Sequence, residues 1–481
     1  MHEADLVANT VTSWLGNPVS RSLLKWVSKR TKGRSKLDVA LKHYIGKNER
    51  LNLQERIAYS IVKLALDRGA TSFGVSKPQL MEALRNPMVR RGIANVLEGI
   101  GYYGVQRPQT TAAPFLIVWN FTRQCNLNCK HCYENAGPKP APDELNTAEA
   151  KKAIDEFAEA GVVALSFSGG EPLVRKDFYD VARYAAEKEF YVSVASNGTL
   201  ISEENARKMK SAGVQYVEIS LDGFEKTHDE FRGIHGAWRR AVKGIENSVA
   251  AGLDTCVATT VTHYNLAEIP KLVEFIQKEL HAKRFIAFNF IPVSRGKEIA
   301  DQDLTPEERE KLLDFLYSKL VENNSKLDTF STAPQYAVIS HKFAFGPVVA
   351  THFTNKSAME MLRGRTKSLT EFIGGCGAGR LYCGIEPNGD IEPCVFIPLK
   401  IGNIRRERLV DVWRNSAVLK KIRNREFFKG CGECEYKYIC GGCRARAYAY
   451  FNDLQGPDPG CSINQKYWET VMACRTAAPQ T

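Results

Sequence analysis

The chain has no run of eighteen consecutive apolar residues, about the length that carries a helix through the hydrocarbon core of a bilayer. Its first residues, MHEADLVANTVTSWLG, lack the basic start, apolar stretch and small-residue cleavage site of a secretory signal. Together these absences predict a cytoplasmic protein. In that compartment thirteen cysteines do not read as a disulfide framework, and their short spacings point to metal thiolates instead. Acidic residues are scarce in one place. Between Arg21 and Arg50 ten Lys or Arg stand against only Asp38 and Glu49, so this stretch supplies +8 of the formal charge of +12. A block of this kind suits a solvated helix face, an acidic partner or, peripherally, an anionic membrane surface. Nucleic acid is a poor match, because the basic residues carry no interleaved aromatic repeat and no recognisable nucleic-acid module.

What is present is a folded composition, 44% hydrophobic and 25% charged over 481 residues, enough for two to four structural units. Residues 1–112 read as a helical, basic accessory segment. Asn17 and Pro18 make an N-cap and first-turn pair, and Leu15, Val19, Leu23 and Val27 recur every four residues. Further helices are expected over Gln54–Leu66 and Lys77–Ile100. Over 113–295 short apolar runs alternate with amphipathic stretches: FLIVWN at 115–120, VVALSF at 162–167, YVSVAS at 191–196, VQYVEIS at 214–220, TCVATTV at 255–261 and RFIAFNF at 284–290. Strand and helix at this interval predict parallel βα units under covering helices. The expected fold class is α/β, a partial (β/α)6 TIM-like barrel with its chemistry at the C-terminal strand ends. Residues 296–373 read as a bridge opening with a helix over Pro306–Leu320. In 374–481 cysteine and glycine dominate, and aliphatic content is too low for an ordinary core, so metal centres are expected to hold this part together.

Directly after the first strand comes Cys125-x3-Cys129-x2-Cys132-Tyr133. Three thiolates on one short loop can hold three irons of a cubane, but a 4Fe-4S cluster has four, and no fourth ligand is local. One iron is therefore open to a cofactor or substrate. Structural zinc is the competing reading, and it normally takes four ligands in pairs. Further motifs stand at successive strand ends: Gly169-Gly170-Glu171-Pro172, Ser196-Asn197-Gly198-Thr199, Ser220-Leu221-Asp222-Gly223 and then His228-Asp229-x-x-Arg232-Gly233. Glycines allow close backbone approach, and an arginine fork fits a carboxylate. Ordinary turn chemistry accounts for the two serine-containing turns about as well, and a surface ion pair for Arg232.

With these motifs residues 113–295 resemble the core of the radical S-adenosylmethionine (SAM) superfamily, His131 taking the place of the aromatic residue common before the last cysteine. The resemblance implies that SAM chelates the open iron through its amino and carboxylate groups. An electron from the reduced cluster then cleaves it to methionine and a 5'-deoxyadenosyl radical that abstracts hydrogen. It also implies that Gly169, Gly170, Glu171 and Pro172 meet the amino end of SAM. Ser196, Asn197, Ser220 and Asp222 would line its ribose and methionine, Arg232 would pair with its carboxylate, and Tyr133 would pack beside the cluster. An electron donor such as ferredoxin or flavodoxin is implied as partner. No catalytic acid or base follows.

The second cysteine region runs Cys376-x6-Cys383-x10-Cys394, then Cys431-x2-Cys434-x5-Cys440-x2-Cys443, then Cys461, eight thiols that are the complement of two fully ligated 4Fe-4S clusters. A pair of zinc sites is the alternative. This region resembles the SPASM extension of radical SAM enzymes. By that similarity Cys376, Cys383, Cys394 and Cys443 hold the inner auxiliary cluster, and Cys431, Cys434, Cys440 and Cys461 the outer one. The spacing of two before Cys443, where three is usual, bears on this interleaving. Two fully ligated clusters would relay electrons. Cys256, on an apolar strand, reads as a small buried side chain.

The stretch Cys440-Gly-Gly-Cys443-Arg-Ala-Arg-Ala-Tyr with Asp458-Pro-Gly-Cys461 is similar to radical SAM enzymes of the alternative haem and haem d1 pathways, which remove side-chain groups from modified tetrapyrroles. A cofactor or tetrapyrrole precursor is therefore the expected substrate. The alternatives are a ribosomally made peptide or protein, a lipid, or, in a different class, a non-enzymatic zinc protein binding nucleic acid. Val395 follows Cys394 where sulfatase-maturing relatives carry an acid, and an apolar side chain cannot take a proton, which argues against formylglycine formation. His341 and His352 lie in the bridge and read as surface or packing histidines.

Overall fold

The computed structural model describes residues 13, 15–31, 34–47, 50–72, 75–322, 326–342 and 370–476. The helices of the first part include α1 (Pro18–Ser28), α2 (Lys36–Tyr44), α3 (Leu53–Ser72), α4 (Lys77–Arg85) and α5 (Pro87–Tyr103). The Asn17 side chain accepts a hydrogen bond from the Ser20 amide, as an N-cap does. The expected stripe on α1 is corrected. Val19 is 70% and Leu23 39% exposed, while Leu24 and Val27 are buried. A spacing of four overshoots the helical turn by about 40° at each step, so the row wraps off the buried face, which follows a spacing of three there. The single helix expected over Lys77–Ile100 is two helices. Pro87 has no amide to donate, and Asn86 ends α4 and caps α5, its side chain accepting from the Met88 amide.

All six expected strands form: β1 (Leu116–Thr122), β2 (Ala164–Gly169), β3 (Tyr191–Ser196), β4 (Val214–Ser220), β5 (Asp254–Val261) and β6 (Arg284–Asn289). Between and after them lie α6 (Thr147–Ala160), α7 (Phe178–Glu187), α8 (Glu203–Ser211), α9 (Glu225–Arg232), α10 (Ala237–Ala250) and α11 (Ile269–Phe275). Asn146 forms a capping box with Glu149 at the start of α6, and Gly161, left-handed, ends it. The sheet is longer than six strands. The bridge supplies α12 (Pro306–Val321), β7 (Asp328–Ser331) and α13 (Tyr336–Lys342), and the cysteine-rich part supplies β8 (Tyr382–Ile385), β9 (Asp390–Glu392), β10 (Gly402–Asn403) and helix α14 (Arg444–Phe451). The order is β10-β9-β8-β1-β2-β3-β4-β5-β6-β7, parallel from β8 through β7 and antiparallel at β9 and β10. Residues of β1 through β6 line one common cavity, so the sheet wraps around it as an open barrel.

The outer face of the sheet packs on the helices. Trp119, Phe121, Phe157, Phe167 and Phe178 form its centre, with Trp119 and Phe167 stacked at 5.8 Å. Helix α5 seals the opposite end from the strand C-termini. The Asn95 amide group donates to the carbonyls of Ala113 and Gly161, and Arg91 donates to those of Val162 and Lys188. Met88 reaches the cavity from that side. No described helix is long and apolar enough to cross a membrane.

Three carboxyls gather where the cysteine-rich part joins β1. Asn120 donates to both Glu134 and Glu386, Arg123 pairs with Glu386 at 3.1 Å, and Glu392 lies beside them. Burial, reinforced by Glu386 and Asp390, holds the Glu392 carboxyl up at about 9. The fold thus keeps a proton that the unfolded chain gives up near 4.5, and stability falls as pH climbs from 4.5 toward 9. Glu392→Gln is expected to raise the melting temperature at pH 8 by about 2–5 °C and to leave it unchanged at pH 4. Equal shifts at both pH values in differential scanning fluorimetry would contradict this origin.

Candidate active site at the strand ends

The loop that follows β1 carries Cys125, Cys129 and Cys132 to the mouth of the barrel, where all three border the cavity. The loop is clamped from several sides. Arg295 donates from Nε to the Cys129 carbonyl at 3.0 Å and from Nη1 to the Ala136 carbonyl at 2.8 Å. The Asn128 and Lys130 amides donate to Arg232 and Phe231 carbonyls at the end of α9. The sulfurs accept hydrogen bonds: Cys125 from the Leu127 amide, Cys132 from the Ala136 amide, and Cys129 from Arg232 Nη1 at 3.6 Å. Donors of this kind favour an electron-rich sulfur and tune a cluster's potential. His131 stacks on Phe231 at 4.2 Å, and burial keeps it neutral.

Among the described residues no three Cys, His, Asp or Glu side chains close tightly enough to share a single metal ion. No disulfide joins any of the described cysteines. Cys125, Cys129 and Cys132 lie on one loop that borders the cavity, a set of three thiols that suits a cubane with one iron left to another ligand.

The glycine pair after β2 answers to this loop. Gly169 has φ +108°, and a Cβ there would stand 2.6 Å from the Thr122 carbonyl; one on Gly170 would collide with the Gln124 carbonyl. The Gly170 and Glu171 amides donate to those same carbonyls at 2.7 and 2.9 Å, stitching β2 to the entrance of the cysteine loop.

Glu171, unlike the two glycines before it, does not line the cavity. It is fully buried and accepts from Ser196 Oγ at 2.9 Å, the Asn197 amide at 2.8 Å and the Leu173 amide at 3.2 Å. Pro172 opens the short turn behind it and also leaves the cavity lining, because Glu171 has turned inward. Glu171 is therefore a latch that fixes the end of β3, and Asn197 in turn donates to Asn126 of the cysteine loop at 2.8 Å. Burial pushes the carboxyl up to about 7. Glu171→Gln turns one acceptor into a donor facing an amide or a hydroxyl. We expect SAM affinity, read by calorimetry, to fall about tenfold, the cost of one unsatisfied buried group. Unchanged affinity would mean that the latch does not position the pocket.

Ser196, Asn197, Ser220, Gly169, Gly170 and Arg232 line the cavity, as does Tyr133. Asp222 does not. It is fully buried, pairs with Arg232 Nε at 2.6 Å and accepts from the Thr260 amide at 2.8 Å. The expected pairing of Arg232 with a carboxylate is thus already met from within the chain on one edge of the guanidinium, while another nitrogen points at Cys129. The Asp222 amide donates to His228 Nδ1, and burial with the nearby Arg232 holds that imidazole neutral, down at about 3. Tyr133 shares hydrogen bonds with Asn120 and Ser168, and its ring lies 4.8 Å from that of Phe396 in the cysteine-rich part.

Seven of the eight cysteines from Cys376 to Cys461 fall into two places. Cys431, Cys434, Cys440 and Cys461 surround one pocket, and the Cys431 sulfur accepts from Asn464 and Arg444. Cys376, Cys394 and Cys443 surround a second, with the Tyr382 hydroxyl 2.9 Å from Cys394 Sγ. These are the sets that the resemblance implies, except for Cys383. Cys383 points to the other face of β8 and joins the main core. Cys256 is buried on β5. His341 sits against Tyr436, away from the barrel cavity. His352 and the side chain of Cys474 lie outside the described residues.

The cavity encloses about 220 Å³ open to the centre of a water molecule, and its deeper wall holds residues that the motifs did not single out. Tyr191, Tyr216, Phe288 and Phe396 provide rings, and Glu218 provides a carboxyl on β4. Burial alone pushes Glu218 up to about 7. An acid in the middle of the strand VQYVEIS was the available signal.

Known proteins place these features. Residues 119–276 match the radical SAM superfamily, and residues 376–443 match the SPASM iron-sulfur cluster-binding domain. A protein named AdoMet-dependent heme synthase from Methanosarcina barkeri is 38% identical over 354 residues, which span 73% of this chain and 97% of that protein. The mycofactocin maturase MftC of Mycobacterium tuberculosis is 30% identical over 357 residues, 73% of this chain and 83% of its own. The crystal structure of Streptococcus suis SuiB bound to S-adenosylmethionine has the same fold, with a TM-score of 0.61 at 17% identity over 89% of this chain and 93% of that one.

Proposed function

The chain belongs to the radical SAM superfamily and carries a SPASM domain, an enzyme of SAM, one SAM-binding 4Fe-4S cluster and auxiliary clusters, and on that premise we propose that it acts on an iron tetrapyrrole in haem formation, removing side-chain groups. The observation that carries this reading is the heme synthase relative, aligned over nearly its whole length. The cavity agrees with it, because Tyr191, Tyr216, Phe288 and Phe396 line it with aromatic side chains, which suit a flat macrocycle. When bound at the first cysteine loop, SAM supplies the hydrogen-abstracting radical. Removing a propionate's carboxyl group after hydrogen abstraction releases carbon dioxide and one electron. Tyr382 and Phe396 line both this cavity and the inner auxiliary pocket, which supports that pocket as the electron's exit.

Gly169, Gly170, Ser196, Asn197, Ser220 and Arg232 shape the SAM pocket in this reading, with Glu171 and Asp222 positioning it from behind. The working division is 1–112 accessory, 113–295 core, 296–373 bridge and 374–481 auxiliary-cluster domain. The enzyme works in the cytoplasm with ferredoxin or flavodoxin as donor, and the basic stretch 21–50 meets an acidic partner or surface peripherally.

Glu218, protonated below about 7, donates to an anionic substrate group and repels it once ionised. Tyr216 and Cys256 are its titratable neighbours, and Arg284 lies beyond them, paired with Asp254 at 2.6 Å. With substrate, kcat/KM is therefore expected to fall severalfold between pH 6.5 and 8.5 in the wild type and to stay level in Glu218→Gln, which keeps a donor at every pH. Parallel profiles would remove Glu218 from substrate binding. The substrate itself is tested anaerobically with reductant, SAM and Fe-coproporphyrin III deuterated in its propionates, scored by mass spectrometry. Deuterated 5'-deoxyadenosine and a decarboxylated product are expected. Transfer of deuterium only from a peptide would favour the second reading, a peptide maturase, which the mycofactocin maturase relative supports.

A further inference from the structure

The two later cysteine sets meet back to back. The Cys376 amide, from the inner set, donates to the carbonyl of Cys440, from the outer set, at 3.2 Å. Against this junction lies the Arg425 guanidinium, on a side chain only 5% exposed. Its Nη1 donates to the carbonyls of Lys437 and Tyr438 at 2.6 and 2.9 Å, and its Nη2 to the Cys376 carbonyl at 3.2 Å. Gly441 makes room for it. The glycine has φ +71°, and a Cβ there would stand 2.6 Å from the guanidinium carbon. A second buried guanidinium, that of Arg380, donates to the same Cys376 carbonyl at 3.4 Å and to the carbonyls of Gln109 and Ile373.

Every one of these acceptors is a neutral carbonyl. The side chains that act most strongly on the Arg425 charge are the Cys376 and Cys440 thiols, then the like-charged Arg444, then Cys431. On Arg380 they are Arg425, Cys376 and Arg423. No carboxylate stands among them, whereas Arg232, Arg309 and Arg446, also buried, each pair with an aspartate. An arginine keeps its proton inside a protein, and a buried charge without a partner is strongly unfavourable. Two such charges on one carbonyl call for an anion, and what the fold sets beside them is cysteine sulfur. A thiolate-bound cubane is an anion that becomes more negative on reduction, and its potential follows the charge around it.

We propose that Arg425 and Arg380 are the counterions of the auxiliary clusters, Arg425 shared by both and Arg380 serving the one at Cys376, and that they raise the potentials at which those clusters accept an electron. A fixed positive charge favours the more negative, reduced state. Both are positioning residues that act through the clusters, whatever the substrate.

The test uses the full chain with all its clusters, reconstituted anaerobically and followed by electron paramagnetic resonance through a redox titration. The signal that moves when SAM is added belongs to the first cysteine loop and serves as the internal reference. Arg425→Gln is expected to lower the midpoints of both auxiliary signals by about 59 mV, a tenfold change in the ratio of reduced to oxidised cluster for one electron, and to leave the reference in place. Arg425→Lys, which keeps the charge without the fork, is expected to leave every midpoint near its wild-type value. Arg380→Gln is expected to lower one auxiliary midpoint and spare the other. Unmoved auxiliary midpoints in soluble, fully loaded Arg425→Gln protein would overturn the proposal. So would an equal fall in Arg425→Lys, which would trace the effect to packing instead of charge. If Arg425→Gln does not fold, the Arg380→Gln titration decides, and two unmoved midpoints there overturn the proposal as well.

Discussion

Alanine at Cys125, Cys129 and Cys132 together is expected to bring 5'-deoxyadenosine formation from SAM down to the uncatalysed background. In this reading each thiolate holds one iron of a cubane, and among the described residues no further cysteine lines the cavity that could replace them. The two other sets lie in separate pockets built from other segments. Iron should therefore fall by about four per chain while the auxiliary signals persist. Anaerobic reconstitution, iron analysis and mass spectrometry of the nucleoside check both halves. Deoxyadenosine at wild-type rates from the triple variant would remove this loop from SAM cleavage. Loss of all iron would mean that the sites load only together.

The largest expected effect on stability belongs to Arg446. It is fully buried on α14, 3.6 Å from Asp303 and 3.8 Å from Asp458, and it donates to Asn289 and, at 2.8 Å, to the Phe290 carbonyl at the end of β6. Arg309 completes the group with a 2.8 Å bond to Asp303. Asp458 also accepts from the Cys443 amide at 2.7 Å, so a single buried ion network ties the inner cysteine set to the barrel. Arg446→Ala strands two carboxylates with only Arg309 between them, and breaking a buried pair from one side costs about 3–5 kcal/mol. Urea unfolding should show a loss of that size. Arg446→Lys restores the charge but not the fork and is expected to recover only part of it. A loss below about 1 kcal/mol would mean that water, rather than this network, solvates the aspartates.

Much of the barrel was legible, for reasons that particular residues make plain. VVALSF and RFIAFNF are buried on both faces, and such strands write themselves as apolar runs. The cysteine loop was legible because ligation needs several thiols within a few residues. What stayed hidden depends on register or direction. Nothing in the spacing from Cys376 to Cys394 reveals that β8 pairs with β1 and turns Cys383 to the other face. The inward turn of Glu171 follows from its partners on β3, which are distant in sequence. β7 is four residues long and β10 two, too short for a period to register. Arg446 is distant in sequence from Asp303 and Arg309, so nothing local marks the network they form.

Met88 carries the first segment into the interior of the barrel. Because this side chain, on α5, lines the same cavity as the cysteine loop, part of the cavity wall is built by a stretch of chain outside the strands and their crossovers. Shortening the chain before β1 would therefore change the shape of the space offered to a bound molecule.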